Sequence, residues 1–101
     1  MPNYSIVKAD NFVYVDGKSM QVDCSQLPEF FHAIQWYGST SPAWGEIEFS
    51  ADDQGRRMPN IRIVDFSPFQ YLIEAWEAAA LAVEQEAALA AAERAKASEA
   101  E

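Results

Sequence analysis

The segments His32-Ala33-Ile34-Gln35-Trp36-Tyr37-Gly38 and Trp44-Gly45-Glu46-Ile47-Glu48-Phe49 decide the fold. In the first, Ile34 and Trp36 fall on one side of an extended chain, and Gln35 and Tyr37 on the other. In the second, Trp44, Ile47 and Phe49 are apolar while Glu46 and Glu48 face water. A period of two is the signature of a strand with one face buried. The two runs are joined by the loop Gly38–Ala43, so they predict an antiparallel pair with a longer connection than a tight hairpin. Gly45 in the second run suggests a bulge.

Working outward, Tyr4–Lys8 and Phe12–Val15 read as short strands, with Ala9-Asp10-Asn11 as a tight connection between them. Asp16-Gly17 is a hairpin signal, because glycine accepts the positive φ of a type I′ turn at no steric cost. Lys18–Val22 is then the returning strand. Asp23–Pro28 breaks the pattern, and Leu27–Phe31 reads as a bend or a single helical turn. After the polar, Gly- and Pro-containing stretch Ala51–Asn60, Ile61–Val64 forms a short final strand. Ser67-Pro68-Phe69-Gln70 is a helix start, with Ser67 as cap, Pro68 in the first turn and Gln70 completing a capping box. No Gly or Pro follows to stop the helix. Its first half carries the apolar stripe Phe69, Leu72, Ile73, Trp76, Ala80 and Val83. Its second half offers only alanines and Leu89, which favour helix but bury little. The expectation is therefore an α+β protein: a small antiparallel β-sheet domain of about five short strands over residues 1–67, then one long C-terminal helix over 68–101. The helix is expected to dock on the sheet to about Val83, and then to project or fray.

Composition narrows the function classes. The chain has 101 residues, including 3 Trp, 4 Tyr and 6 Phe, enough for one packed core. The formal net charge is −9, split between −4 for residues 1–67 and −5 for residues 68–101. Nucleic-acid binding of the ordinary kind needs a basic footprint, which is missing, and an anionic membrane surface is disfavoured for the same reason. A basic protein partner, or solubility alone, is compatible with this charge. There is 1 Cys and 1 His. That rules out an internal disulfide and a structural zinc site, and no metal or cofactor is expected. No apolar run reaches the roughly 18–20 residues of a membrane span. Met1-Pro2-Asn3-Tyr4 lacks the regions of a secretion signal, and synthesis and action in the cytoplasm is the expectation.

Chemistry-bearing constellations are sparse. Cys24 and His32 form the one Cys–His combination, but no oxyanion loop accompanies them, and a structural cysteine with a strand-edge histidine is the simpler account. Asp52-Asp53-Gln54-Gly55 has part of a calcium-loop pattern, yet Arg56-Arg57 follows where a bidentate Glu is needed, so a solvated turn is expected. Glu46 and Glu48 share one strand face, as a solvent-facing row does. The expectation is no catalytic residue and no small-molecule substrate. The residues able to carry binding energy are the Trp, Tyr and Arg side chains. Tyr37 and Trp44, flanking the Gly38–Ala43 loop, are the expected exposed aromatic pair. Arg56 and Arg57 at a loop tip, Trp76, and Val83 at the end of the docking stripe complete the candidate protein-binding set. Leu72, Trp76, Ala79, Val83 and Ala90 approximate heptad spacing, interrupted by Glu86, so homo-oligomerisation through the helix is one expected mode and a solvated tail the other.

The order of these motifs resembles a group of small bacteriophage and prophage proteins similar to products of tail and tail-fibre genes. The resemblance rests on His32–Gly38 and Gly45–Phe49, then Pro59-Asn60, Ile63–Phe69, Leu72-Ile73 and Ala75-Trp76, with Val15-Asp16-Gly17 upstream. It spans about Tyr4 to Trp76 and brings no catalytic residues. It implies a structural or chaperone role: a small virion component or a tail-fibre assembly factor that binds a phage tail or fibre protein. The place of action would be the host cytoplasm during assembly, or the virion tail. The alternative is an acidic phage-encoded inhibitor of a host defence protein, of the DNA-mimic or anti-CRISPR type, supported by small size and net charge.

Overall fold

The computed structural model describes residues 2–99, with side chains described to Lys96. Ala100 and Glu101, included in the expected helical segment, lie outside the described residues. Six strands, one more than the expected five or so, form a single antiparallel sheet. They are β1 (Tyr4–Val7), β2 (Phe12–Val15), β3 (Lys18–Gln21), β4 (Phe31–Tyr37), β5 (Trp44–Phe49) and β6 (Ile61–Ile63). A short 3₁₀ turn, Ser67–Phe69, leads into the helix α1 (Gln70–Glu99).

The strand order is β3-β2-β1-β4-β5-β6. Two three-stranded meanders are thus joined through their first strands, with β1 and β4 paired at the centre. The first meander is set by its turns. Asp16 and Gly17 adopt φ of 48° and 86°, the two left-handed positions that a type I′ turn requires. Asn11, at φ 54°, closes the β1–β2 connection. Its carbonyl accepts the Val22 N–H at 2.8 Å and its side-chain oxygen accepts the Cys24 N–H at 2.9 Å. One asparagine therefore tolerates the strained backbone and aims the chain leaving β3 back across the sheet.

Register places two apolar rows on one face. Ile6 lies beside Val13 and Ile34, and Ile34 beside Ile47; Tyr4 lies beside Val15 and Trp36, and Trp36 beside Gly45. This face is covered twice. The connection after β3 lays Val22, Cys24 and Leu27 over it, and Phe66, Leu72 and Ile73 cover the rest. Leu27–Phe31 is not a helical turn. Two separate turns, closed by Leu27 N–H to Cys24 O and Phe31 N–H to Pro28 O, deliver the chain to β4.

The bulge lies elsewhere than expected. Pairing across Gly45 is regular, and the register shifts instead between Phe31 and Ala33, where His32 sits exposed. Gly45 is required for space: a Cβ there would stand 2.8 Å from the Trp36 ring and against the Gln35 carbonyl. The Trp36 indole lies over this glycine and packs on Phe66 at 5.4 Å between ring centroids. Its Nε1 is buried with no hydrogen-bond partner among the described residues.

The helix start also differs from expectation. Ser67 does not cap: Phe66 takes the cap position without a side-chain cap bond, and Asp65 closes a turn just before it. The Asp65 carboxylate accepts the Ser67 N–H at 3.0 Å and the Ser67 hydroxyl at 2.9 Å. These bonds hold its carboxyl below the usual Asp range. Pro68 falls within the 3₁₀ turn, whose first residue follows Phe66. On α1, Leu72 and Ile73 are fully buried, Trp76 is half-buried, and Ala80 is the last buried residue. Contact with the sheet therefore ends one turn before Val83, which is 53% exposed. Every residue from Leu81 to Lys96 is exposed, yet the helix continues unbroken to Glu99. The long axis of the molecule is accordingly 65 Å.

Candidate protein-interaction surface

Three surfaces remain after the core is accounted for: the uncovered face of the sheet, the outer edge of β6 with its adjoining loop, and the projecting helix.

The uncovered face carries Tyr14, Gln35, Tyr37, Trp44, Glu46 and Arg62, which alternate with the buried rows along their strands. Tyr37 and Trp44, expected as an exposed pair, are brought together here, with ring centroids 4.7 Å apart and planes tilted by 36°. Both are half-buried rather than fully exposed. Arg62 on β6 places its guanidinium 4.7 Å from the Trp44 ring centroid. Trp44 is thus flanked by neighbours on β4 and on β6. A cation over an indole contributes about 0.5–1 kcal/mol at an exposed site. The Gly38–Ala43 loop is held in place by Asn3, whose side-chain oxygen accepts the Ser39 N–H at 3.1 Å and the Ser39 hydroxyl at 3.0 Å. A shallow groove of about 460 Å³ runs beside Val7, Tyr14, Gln35 and Tyr37.

At the β6 edge, Arg56 and Arg57 part company. The Asp52 carboxylate accepts the Gln54 N–H at 2.9 Å and the Arg56 N–H at 2.8 Å, and it pairs with Arg56 Nε at 3.2 Å. Asp52 therefore organises its own loop, and Arg56 is spent on that loop. Arg57 is exposed and makes no ion pair among the described residues. Beside it, Phe30, Met58 and Pro59 line a groove of about 510 Å³. Phe30 is 59% exposed, Met58 54% and Val64 73%. Phe30, Met58 and Pro59 are not legible as a strip in the sequence because they fall outside the periodic segments.

On the helix, Leu81, Val83 and Leu89 are exposed. Trp76 belongs to the docked half. It packs against the core, and its Nε1 donates to the Lys18 carbonyl at 3.0 Å, tying α1 to the other edge strand, β3. The candidate set is therefore divided: Tyr37 with Trp44 on the open face, Arg56 and Arg57 by the β6 edge, Trp76 in the helix–sheet contact and Val83 on the free helix.

Cys24 and His32 differ in their surroundings. Cys24 is fully buried and its thiol donates to the Val22 carbonyl at 3.3 Å. Burial, with the Asp23 charge adding to it, pushes the thiol above its ordinary pKa, away from the thiolate that nucleophilic attack needs. Among the described residues no cluster of three or more His, Cys, Asp or Glu is placed to hold a metal ion, and no helix is long and apolar enough to cross a membrane.

No family model, curated protein or solved structure matches this chain.

Proposed function

We propose that this chain is a non-enzymatic, tail-associated phage protein, a small virion component or a tail-fibre assembly factor, that works by binding protein. The observation that carries the binding role is the helix beyond Ala80. From Leu81 to Lys96 it is exposed on every side while presenting Leu81, Val83 and Leu89. An isolated helix of this length is marginal in water even when rich in alanine, and it gains stability by packing. A segment that adds nothing to the core of its own domain is well suited to packing on another chain. The tail context rests on the motif order from Tyr4 to Trp76. The proposed partner is a phage tail or fibre protein, met in the host cytoplasm during assembly, with a second copy of the helix as the other candidate.

The inhibitor reading rests on net charge. A DNA mimic must approach the charge density of a duplex, about one per 1.7 Å of axis. Glu74, Glu77, Glu84, Glu86 and Glu93 are spread over 20 residues of α1, whose 19 steps span about 28 Å at 1.5 Å per residue. That density is several-fold too low, and the partner-binding reading stands ahead. The test is co-purification. The chain is expected to sediment with virions, or to bind an isolated tail or fibre protein in a pairwise assay. Binding instead to a host nuclease, abolished by moderate salt, would transfer the assignment to the inhibitor class.

A further inference from the structure

The outer side of β6 faces no strand, and among the described residues no backbone hydrogen bond links Ile61–Ile63 to anything outside the sheet. The opposite edge, β3, is engaged by the helix through the Trp76–Lys18 bond. The β6 edge is flanked by exposed Met58, Ile61 and Val64. Its charge runs against that of the molecule. In a chain of net −9, Arg56, Arg57 and Arg62 lie within seven residues, and no acidic residue falls between Arg56 and Val64. Asp52 pairs with Arg56, and no ion pair is made among the described residues by Arg57 or by Arg62, whose cross-strand neighbour on β5 is Glu46.

We infer that β6 is a strand-addition edge for an extended segment of a partner protein, one that alternates acidic and apolar residues; this deepens the protein-binding reading and rests on it. Strand register dictates the alternation. Ile61 and Ile63 lie on the core face and Arg62 on the open face, so an added strand sets apolar side chains beside the isoleucines and a carboxylate opposite Arg62. Backbone hydrogen bonds supply affinity in such docking, and side-chain pairing supplies choice. A second copy is the poorer occupant. Symmetric antiparallel pairing of two β6 strands sets Arg62 opposite Arg62, and like charges directly opposite are destabilising.

The test is a titration of the ¹⁵N-labelled full chain with a blocked heptapeptide alternating Glu and Val, at low salt. Amide shifts are expected at Ile61–Val64 and at neighbouring Phe30 and Met58. A Lys/Val heptapeptide at the same concentration should leave these amides unmoved. Arg57→Glu, an exposed change, should weaken Glu/Val binding about tenfold, with the unliganded spectrum retained. The inference is overturned if millimolar Glu/Val peptide leaves Ile61–Val64 unmoved, if the Lys/Val peptide binds equally well, or if the shifts fall on Leu81–Lys96. It is also overturned if these amides are already protected, in a concentration-dependent way, without peptide, since a second copy then occupies the edge. Failure of the peptide with virion co-purification intact removes the edge alone; failure of both removes the protein-binding reading.

Discussion

Two leucines on one helix should respond very unequally to the same truncation. Leu72 is fully buried against the sheet, whereas Leu89, seventeen residues on, is 65% exposed. Leu72→Ala removes a branched side chain from the point where α1 meets the core and leaves a void beneath the helix. Such substitutions cost about 2–5 kcal/mol, the spread reflecting how far the site collapses. Helix propensity does not offset this, because leucine and alanine are both strong helix formers. In a domain of this size the loss corresponds to a fall in Tm of roughly 10–30 °C, and it consumes a large part of a total stability of about 5–15 kcal/mol. Leu89→Ala makes no cavity, and is expected to fall within about 0.5 kcal/mol of the parent. Urea and thermal unfolding followed by far-ultraviolet circular dichroism, each at two protein concentrations, measure both. If Leu89→Ala proves as costly as Leu72→Ala, or its cost grows with protein concentration, the distal helix is buried in solution and docking does not end at Ala80. If Leu72→Ala is neutral, the helix–sheet contact itself is wrong.

Other outcomes follow from single contacts. Gly45→Ala places a methyl against the Gln35 carbonyl and the Trp36 ring, and overpacking of this kind costs about 1–3 kcal/mol, read as a lowered Tm with red-shifted tryptophan emission. Cys24, buried and with its thiol pushed up, should resist an aromatic disulfide reagent at pH 8 in the native state and react at once in denaturant, so that native reactivity matching the unfolded rate would contradict its placement. Asp23 and Asp65 are each held below the usual range by a backbone N–H, from Ser25 and Ser67 respectively. A depressed folded pKa contributes stability above the unfolded value of about 3.9, and that contribution is lost as pH falls through the folded value. Thermal stability should therefore decline below about pH 4, and Asp65→Asn should make that decline shallower; an unchanged acid limb would count against the Asp65–Ser67 bonds.

Much of the fold was legible because it rests on local rules. The alternation in Trp44–Phe49 and the Asp16-Gly17 pair fixed strands and turn without knowledge of the rest. The apolar stripe from Phe69 to Ala80 marked the docked face of the helix. What escaped depended on residues distant in sequence. The antiparallel pairing of β1 with β4 follows from Asn11 steering the Val22–Leu27 connection over the core, and no local pattern encodes that. Gly45 reads as a bulge because the sequence does not reveal that Trp36 lies across it. Ser67 reads as a cap because Ser-Pro is a strong signal, but its hydroxyl and N–H both donate back to Asp65, and Phe66 takes the cap position. The stripe reads one turn too long in the sequence, because Val83 is in phase with Trp76 although Ala80 is the last buried position of α1 among the described residues. At the candidate surface, the closeness of Tyr37 and Trp44 was readable from their positions on paired strands. Arg62 beside Trp44 required the β5–β6 register, in which Glu46 lies opposite Arg62.

Binding of the full chain, and of a version ending after Gln85, to virions or isolated tails of the phage or prophage proposed to carry it tests the central claim most directly. Leu81 to Lys96 are all exposed, so the shortened chain should fold with an unchanged melting temperature. The account predicts that the full chain sediments with the tails and that the shortened chain, though folded, binds more weakly or not at all. A full chain that stays in the supernatant across a range of salt, with no affinity for any tail component, would contradict it.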